Sequence, residues 1–230
     1  LSGKLQAAQT MDLSADDTLS VQSATTAVVG NQTVAIASVL QAETLNLSAG
    51  RLLTVADSAE LKAVQNANTA STTASVSLTG DRDIMLGGVV SAVDGAAITV
   101  TASAGRDLNL SGRINAGDVV LKSGQGLAQS GHLTADADTQ VTANTGGISF
   151  ATGAVGGDIE MSNATFTASA SGQTISLTSA KGSITQTLVS RSSTDANSVV
   201  TNQLLPSGLL SAASVLATGD SGITLNTATA

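Results

Sequence analysis

The chain has 230 residues, a formal net charge of −8, and only 11% charged side chains. Hydrophobic residues make up 42%, which excludes intrinsic disorder by composition, and the acidity argues against nucleic acid or anionic membranes as partners. There is no Cys, Trp or Tyr and there are two Phe, so disulfides, thiolate metal sites and an aromatic-lined pocket are excluded. The core must be built from Ala, Val, Leu and Ile.

Taken in chain order, the opening Leu1, Ser2, Gly3, Lys4 is neither an initiator Met nor a signal peptide, and reads as the start of a segment of a longer protein. Period-2 alternation then dominates. One series of inward pairs runs Leu45 and Leu47, Val76 and Leu78, Ile98 and Val100, Val119 and Leu121, Val141 and Ala143, Ile159 and Met161, Ile175 and Leu177. A second series follows it, with Ile84 and Leu86, Leu108 and Leu110, Ile148 and Phe150, and Ile184. Between the two lie Gly-rich turns, and one phrase returns: Gly80-Asp-Arg-Asp-Ile-Met-Leu-Gly-Gly, then Ala104-Gly-Arg-Asp-Leu-Asn-Leu-Ser-Gly, with a weaker copy at Ser48-Ala-Gly-Arg-Leu-Leu-Thr-Val.

A short repeat of strands that cannot enclose a core alone must stack on its neighbours. The fold class expected is therefore all-β, a right-handed parallel β-helix, with residues 1–230 forming one solenoid segment. At roughly 21 residues per coil the chain makes about 11 coils and a rod about 50 Å long. Two stretches break the rhythm and are expected as excursions. Residues 57–70 carry Asp57 and Glu60 in capping-box spacing, with Leu61 and Val64 on one helical face, which predicts a short helix or a bulging loop. Residues 191–216 hold the only Pro, Pro206, and predict a loop or irregular coil. The apolar run from Gln203 to Gly219 is too interrupted to span a membrane.

Few residues offer chemistry. Asp83 and Asp107 occupy one place in two copies of the repeat, so stacking would set them about 5 Å apart, the separation of a glycosidase carboxylate pair. Beside Arg82 and Arg106 and at a turn, they read more simply as solvated turn residues. His132, in Ser130-Gly-His-Leu, has no nucleophile elbow to serve and reads as an exposed turn residue. Gly156-Gly-Asp and Gly87-Gly-Val do not supply the tandem nonapeptide of calcium-binding β-rolls. Phe150 and Phe166 read as interior fillers. Asn31, Asn46, Asn109 and Asn163 each begin an N-glycosylation pattern, which a Ser- and Thr-rich chain produces by chance. No catalytic, cofactor or metal site is therefore assigned.

The phrase Ala104-Gly-Arg-Asp-Leu-Asn-Leu-Ser-Gly, with Gly117-Asp-Val-Val-Leu-Lys-Ser-Gly-Gln-Gly-Leu following, resembles the repeats of filamentous haemagglutinins, the large exoproteins of bacterial two-partner secretion. The similarity is clearest from Leu78 to Ile184. It implies a β-helical shaft, exported through an outer-membrane transporter partner and displayed on a Gram-negative cell, where it meets host-cell or bacterial surface receptors or glycans. This sequence has no Asn-Pro dipeptide of the family's secretion domain and no charged, toxin-like C-terminal domain, so it is expected to be shaft. The function implied is structural and adhesive, without a cofactor. The alternatives are a polysaccharide lyase or glycoside hydrolase on a β-helix, an autotransporter passenger, or the stalk of a contact-dependent inhibition protein.

Overall fold

The computed structural model describes residues 1–23, 25–29, 32–36, 38–65, 74–93, 99–126, 131–136, 139–154, 157–187, 190–194, 200–204, 209–225 and 228–229. Among them the chain is all-β and winds as a parallel β-helix with three strands per coil. In chain order the first coil places Thr10–Ala15 in sheet 1, Thr18–Val21 in sheet 2 and Val39–Ala42 in sheet 3. Each later coil repeats this placement. Sheets 1 and 2 have eight strands each. Sheet 3 has nine, because Lys4–Gln6 precedes the first full coil. Every pairing within the three sheets is parallel.

Alternation builds the interior. In sheet 1 the ladder Met11, Leu45, Val76, Val100, Val119, Ile148, Ile175 runs in register along the stack, beside a second ladder that includes Leu47, Leu78, Leu121, Phe150 and Leu177. The third inward position of the same strands is Ala49, Gly80, Ala104, Ser123, Thr152 or Ser179. Small side chains fall there because the chain turns the corner into sheet 2, where the interior narrows. Sheet 2 contributes Leu53, Ile84, Leu108, Leu133, Ile159 and Ile184, and sheet 3 contributes Leu40, Leu61, Val90, Ile114, Val141 and Phe166. These side chains form one contiguous core. Phe150 and Phe166 are both fully buried and meet edge to face, with ring centroids 4.8 Å apart, as two interior fillers should.

The coil is longer than the repeat suggests. From Met11 to Val215 the sheet 1 ladder takes seven steps over 204 residues, about 29 per coil, with single steps from 19 (Val100 to Val119) to 40 (Ile175 to Val215). The stack therefore has eight coils rather than eleven, and rises about 34 Å rather than 50 Å between its end strands. The miscount has a clear origin. Val141 and Ala143 belong to sheet 3, Ile159 and Met161 to sheet 2, and Ile148 and Phe150 to sheet 1, so the two supposed series merged three faces. Ile98 lies outside the described residues.

The two expected excursions fare differently. Residues 57–70 do not begin a helix. Asp57 and Ser58 make a turn, with Ser58 at φ 63°, and Glu60–Val64 is a sheet 3 strand with Leu61 and Ala63 in the core. The spacing of Leu61 and Ala63, two apart, carries this strand, and the capping-box pattern is incidental. Residues 66–73 lie outside the described residues. In 191–216, Ser190–Thr194 pairs antiparallel with Val200–Leu204 as a hairpin, but Leu210–Ser211 and Ser214–Gly219 have already rejoined the stack. A second hairpin, Thr25–Val29 with Gln32–Ile36, was not expected. Both leave their coil between its sheet 2 strand and its sheet 3 strand.

Candidate functional site

The charged residues singled out in the sequence converge on the corner between sheets 1 and 2. The strands of sheet 1 end there and the chain passes on to the next sheet 2 strand, so Arg51, Asp83, Arg106, Asp107, His132 and Asp158 come from successive coils. Asp83 and Asp107 are neighbours in the stack, as their shared place in the repeat implies, since Ile84 pairs with Leu108.

Their carboxylates are occupied. Arg106 grips Asp83 with both ends of its guanidinium, Nε to Oδ1 at 2.7 Å and Nη2 to Oδ2 at 2.5 Å, and lies 3.2 Å from Asp107 Oδ2. The amide of Asp107 donates to Asp83 Oδ1 at 3.3 Å, and the amide of His132 donates to Asp107 Oδ1 at 3.1 Å. The amide of Asp158 donates to His132 Nδ1 at 3.4 Å, and Asp158 Oδ1 in turn accepts the amide and the hydroxyl of Ser183 at 2.7 and 2.8 Å. One coil's side chain thus repeatedly takes the next coil's backbone N–H. At the N-terminal end Arg51 pairs with Asp17 of the coil before it.

Burial on its own would raise the pKa of Asp83, but the Arg106 hydrogen bonds, the Asp107 amide and the Arg106 and Arg82 charges outweigh it and hold the carboxyl below its ordinary value. Asp158 is lowered by the Ser183 amide and hydroxyl, against a smaller effect of burial, with His132 adding to the lowering. A glycosidase pair needs one carboxyl kept protonated near neutral pH and one ionised, and a lowered Asp83 fits only the ionised role. The corner can do what its bonds show: it ties coil to coil.

The sign of the pH dependence follows. Both folded-state values lie below the unfolded reference, so their contribution to stability is present above about pH 4 and is lost as pH falls through the folded values. Acid unfolding monitored by circular dichroism should therefore set in below about pH 4. In the Asp83→Asn, Asp158→Asn variant the stability at pH 7 should fall while its change between pH 5 and pH 3 becomes shallower. An unchanged acid limb in that variant would contradict the assignment.

His132 is half exposed, as expected, with Nδ1 3.7 Å from Asp158 Oδ2, and immediately precedes the strand Leu133–Ala135. Among the described residues no three His, Asp or Glu side chains gather into a metal-binding group. Asn46 donates its amide to Asp12 at 2.7 Å, while Asn163 is buried and left-handed at φ 55°. Asn31 lies outside the described residues.

A notch of about 280 Å³ indents the opposite side of sheet 2, where it meets sheet 3. The corner turn shortens to Gly87-Gly88 and Ser111-Gly112 in two coils, and Asp57 and Asp136 stand in the coils on either side. Thr54, Met85, Asn109 and Thr134 also line it, with Val55, Leu86 and Leu110 at its base, and the lining contains no aromatic, His, Lys or Arg side chain. Sequence reasoning missed this notch because it comes from turn lengths in adjacent coils, which only the register reveals.

In comparisons with protein-family models, curated proteins and solved structures, the chain matched none.

Proposed function

We propose that the chain is a structural and adhesive shaft segment of a filamentous protein that a Gram-negative bacterium secretes and displays on its surface. The reading takes its export route, through an outer-membrane transporter partner, from the resemblance of Ala104 to Gly112 and its neighbours to filamentous haemagglutinin repeats. The observation that carries it is the corner ladder. The carboxylates placed best for catalysis are spent on joining coils, and the same bonds recur along the stack. A parallel stack with repeating side-chain rows suits a protein that holds other elements away from a cell and offers its partners a long surface.

The test is immunogold labelling of intact cells that encode the protein, with an antibody raised against this chain. Labelling on the outer surface, with protein also released into the medium, is expected. Labelling confined to permeabilised cells would reject the reading. Release of reducing sugar or unsaturated products from a polysaccharide by the purified chain would replace it with the β-helix enzyme.

A further inference from the structure

The notch between sheets 2 and 3 is a gap in one corner of the helix wall. One coil passes from Val55 to Glu60 through four residues, and a later coil passes from Ala135 to Gln140 through four. The two coils between them turn in two residues each, Gly87-Gly88 and Ser111-Gly112. The register stacks Val55, Leu86, Leu110 and Ala135 in order, so the long turns form walls three ladder steps apart, about 14 Å, with two low coils between them. The base of the gap is apolar, from the buried Val55, Leu86 and Leu110, and Met85, 48% exposed, lines it on the sheet 2 face.

Each wall carries a carboxylate, Asp57 on one and Asp136 on the other. Asp57 leans inward. A Cβ built on Gly87 would lie 2.3 Å from Asp57 Oδ1 and 3.3 Å from Ser111 Oγ, so the bare glycine makes the room and two oxygens converge beside it. Among the described residues the Asp57 carboxylate has no hydrogen bond or ion pair. Asp136 Oδ1 accepts the Thr139 hydroxyl at 3.5 Å, and a carboxylate can accept up to about four such bonds. Arg113 and Gln140 open onto the sheet 3 side of the same short turns, which leaves two carboxylates against one guanidinium around the gap.

We propose that this notch binds a linear aliphatic diamine, with one ammonium at Asp57 and Ser111, the other at Asp136, and the methylene chain on the apolar base. Carboxylates on walls so far apart cannot share a metal ion, whose oxygen ligands lie within about 2.6 Å of it. They are placed instead for two cations joined by an apolar link. Each ammonium gains a charge-assisted hydrogen bond, and the methylenes cover apolar surface that water otherwise meets. A monoamine satisfies only one wall. The site takes nothing from the shaft reading and stands or falls apart from it.

The test is isothermal titration calorimetry of the purified chain at low salt with putrescine, cadaverine, butylamine and calcium chloride. At least one of the two diamines should bind saturably and at least tenfold tighter than butylamine. Asp57→Asn and Asp136→Asn should each bring the diamine down to the butylamine level. Glu160→Gln removes the same charge from an exposed position on sheet 2 outside the notch, and should bind as the native chain does. The preference of the native chain for a diamine over butylamine needs no variant, so it decides the matter even where a substitution disturbs folding. No saturable diamine binding, equal affinity for butylamine, an equal loss in Glu160→Gln, or unchanged binding in either Asp variant would each overturn the proposal. Calcium that binds tighter than both diamines, and is lost in Asp57→Asn, would replace it with a metal site. None of these results bears on the surface labelling that tests the shaft.

Discussion

Replacing Leu110 by Asp should destabilise the protein by about 4 kcal/mol or more, while Asn109→Asp should stay within about 0.5 kcal/mol of the native chain. The two residues are adjacent in the strand Leu108–Leu110 and face opposite ways. Leu110 is 3% exposed and stacks between Leu86 and Ala135 of the neighbouring coils, where a carboxylate would lose most of its hydration against apolar neighbours. Asn109 lies between Met85 and Thr134 on the outer face. Thermal and urea unfolding of the two variants measures the difference directly. Similar losses from both would mean that the inward register is displaced by one residue, which would turn every ladder inside out.

Gly157→Ala should cost about 3 kcal/mol, an effect carried by the backbone alone. Gly157 has φ +145°, and a Cβ built on it would lie 1.7 Å from the carbonyl oxygen of Gly131 in the preceding coil. The corner between sheets 1 and 2 closes only because a hydrogen occupies that place. Gly172 provides the comparison: its φ is +79° but nothing lies within 4 Å of the added atom, so Gly172→Ala should cost about 1 kcal/mol from strain alone. Measured in the same urea titration, a Gly157 variant no worse than the Gly172 variant would show that the coils do not approach so closely at this corner.

The fold class was legible because alternation in small aliphatics, with a returning Gly-Arg-Asp turn, has few other physical solutions. The inward choice of Leu108 and Leu110, the filler role of both Phe residues and the stacking of Asp83 on Asp107 followed from it. The number of coils was not legible. All three faces use the same Val, Leu and Ile alternation, and steps from 19 to 40 residues hide the period, so nothing local marks Val141 as a sheet 3 residue and Ile148 as a sheet 1 residue. The helical reading of 57–70 failed because Asp57 and Glu60 match a cap only if a helix follows, and Leu61 and Ala63 are wanted by the core two residues apart. The hairpin Thr25–Val29 with Gln32–Ile36 did carry a signal: in the sequence two β-branched runs flank the dipeptide Gly30-Asn31, a composition that favours a hairpin. The corner's hydrogen bonds were hidden, since a carboxylate in a turn reads the same in sequence whether it meets water or the next coil's amide.

A coil of three strands with about 29 residues per turn can be tested with paired cysteines, because the native chain has none. Val120 and Ser149 face outward as register partners on adjacent sheet 1 strands. A separation of about 4.8 Å across the ladder lies within the Cα range of a disulfide. Val120→Cys with Ser149→Cys should therefore oxidise quantitatively to an intrachain disulfide in the folded monomer, seen as a reducible mobility shift and confirmed by peptide mass. Val120→Cys with Thr142→Cys, the pair that stacking Val119 and Leu121 on Val141 and Ala143 would bring together, should not cross-link, because Thr142 lies on sheet 3. Efficient cross-linking of Val120 to position 142 and none to position 149 would contradict the three-sheet, eight-coil architecture.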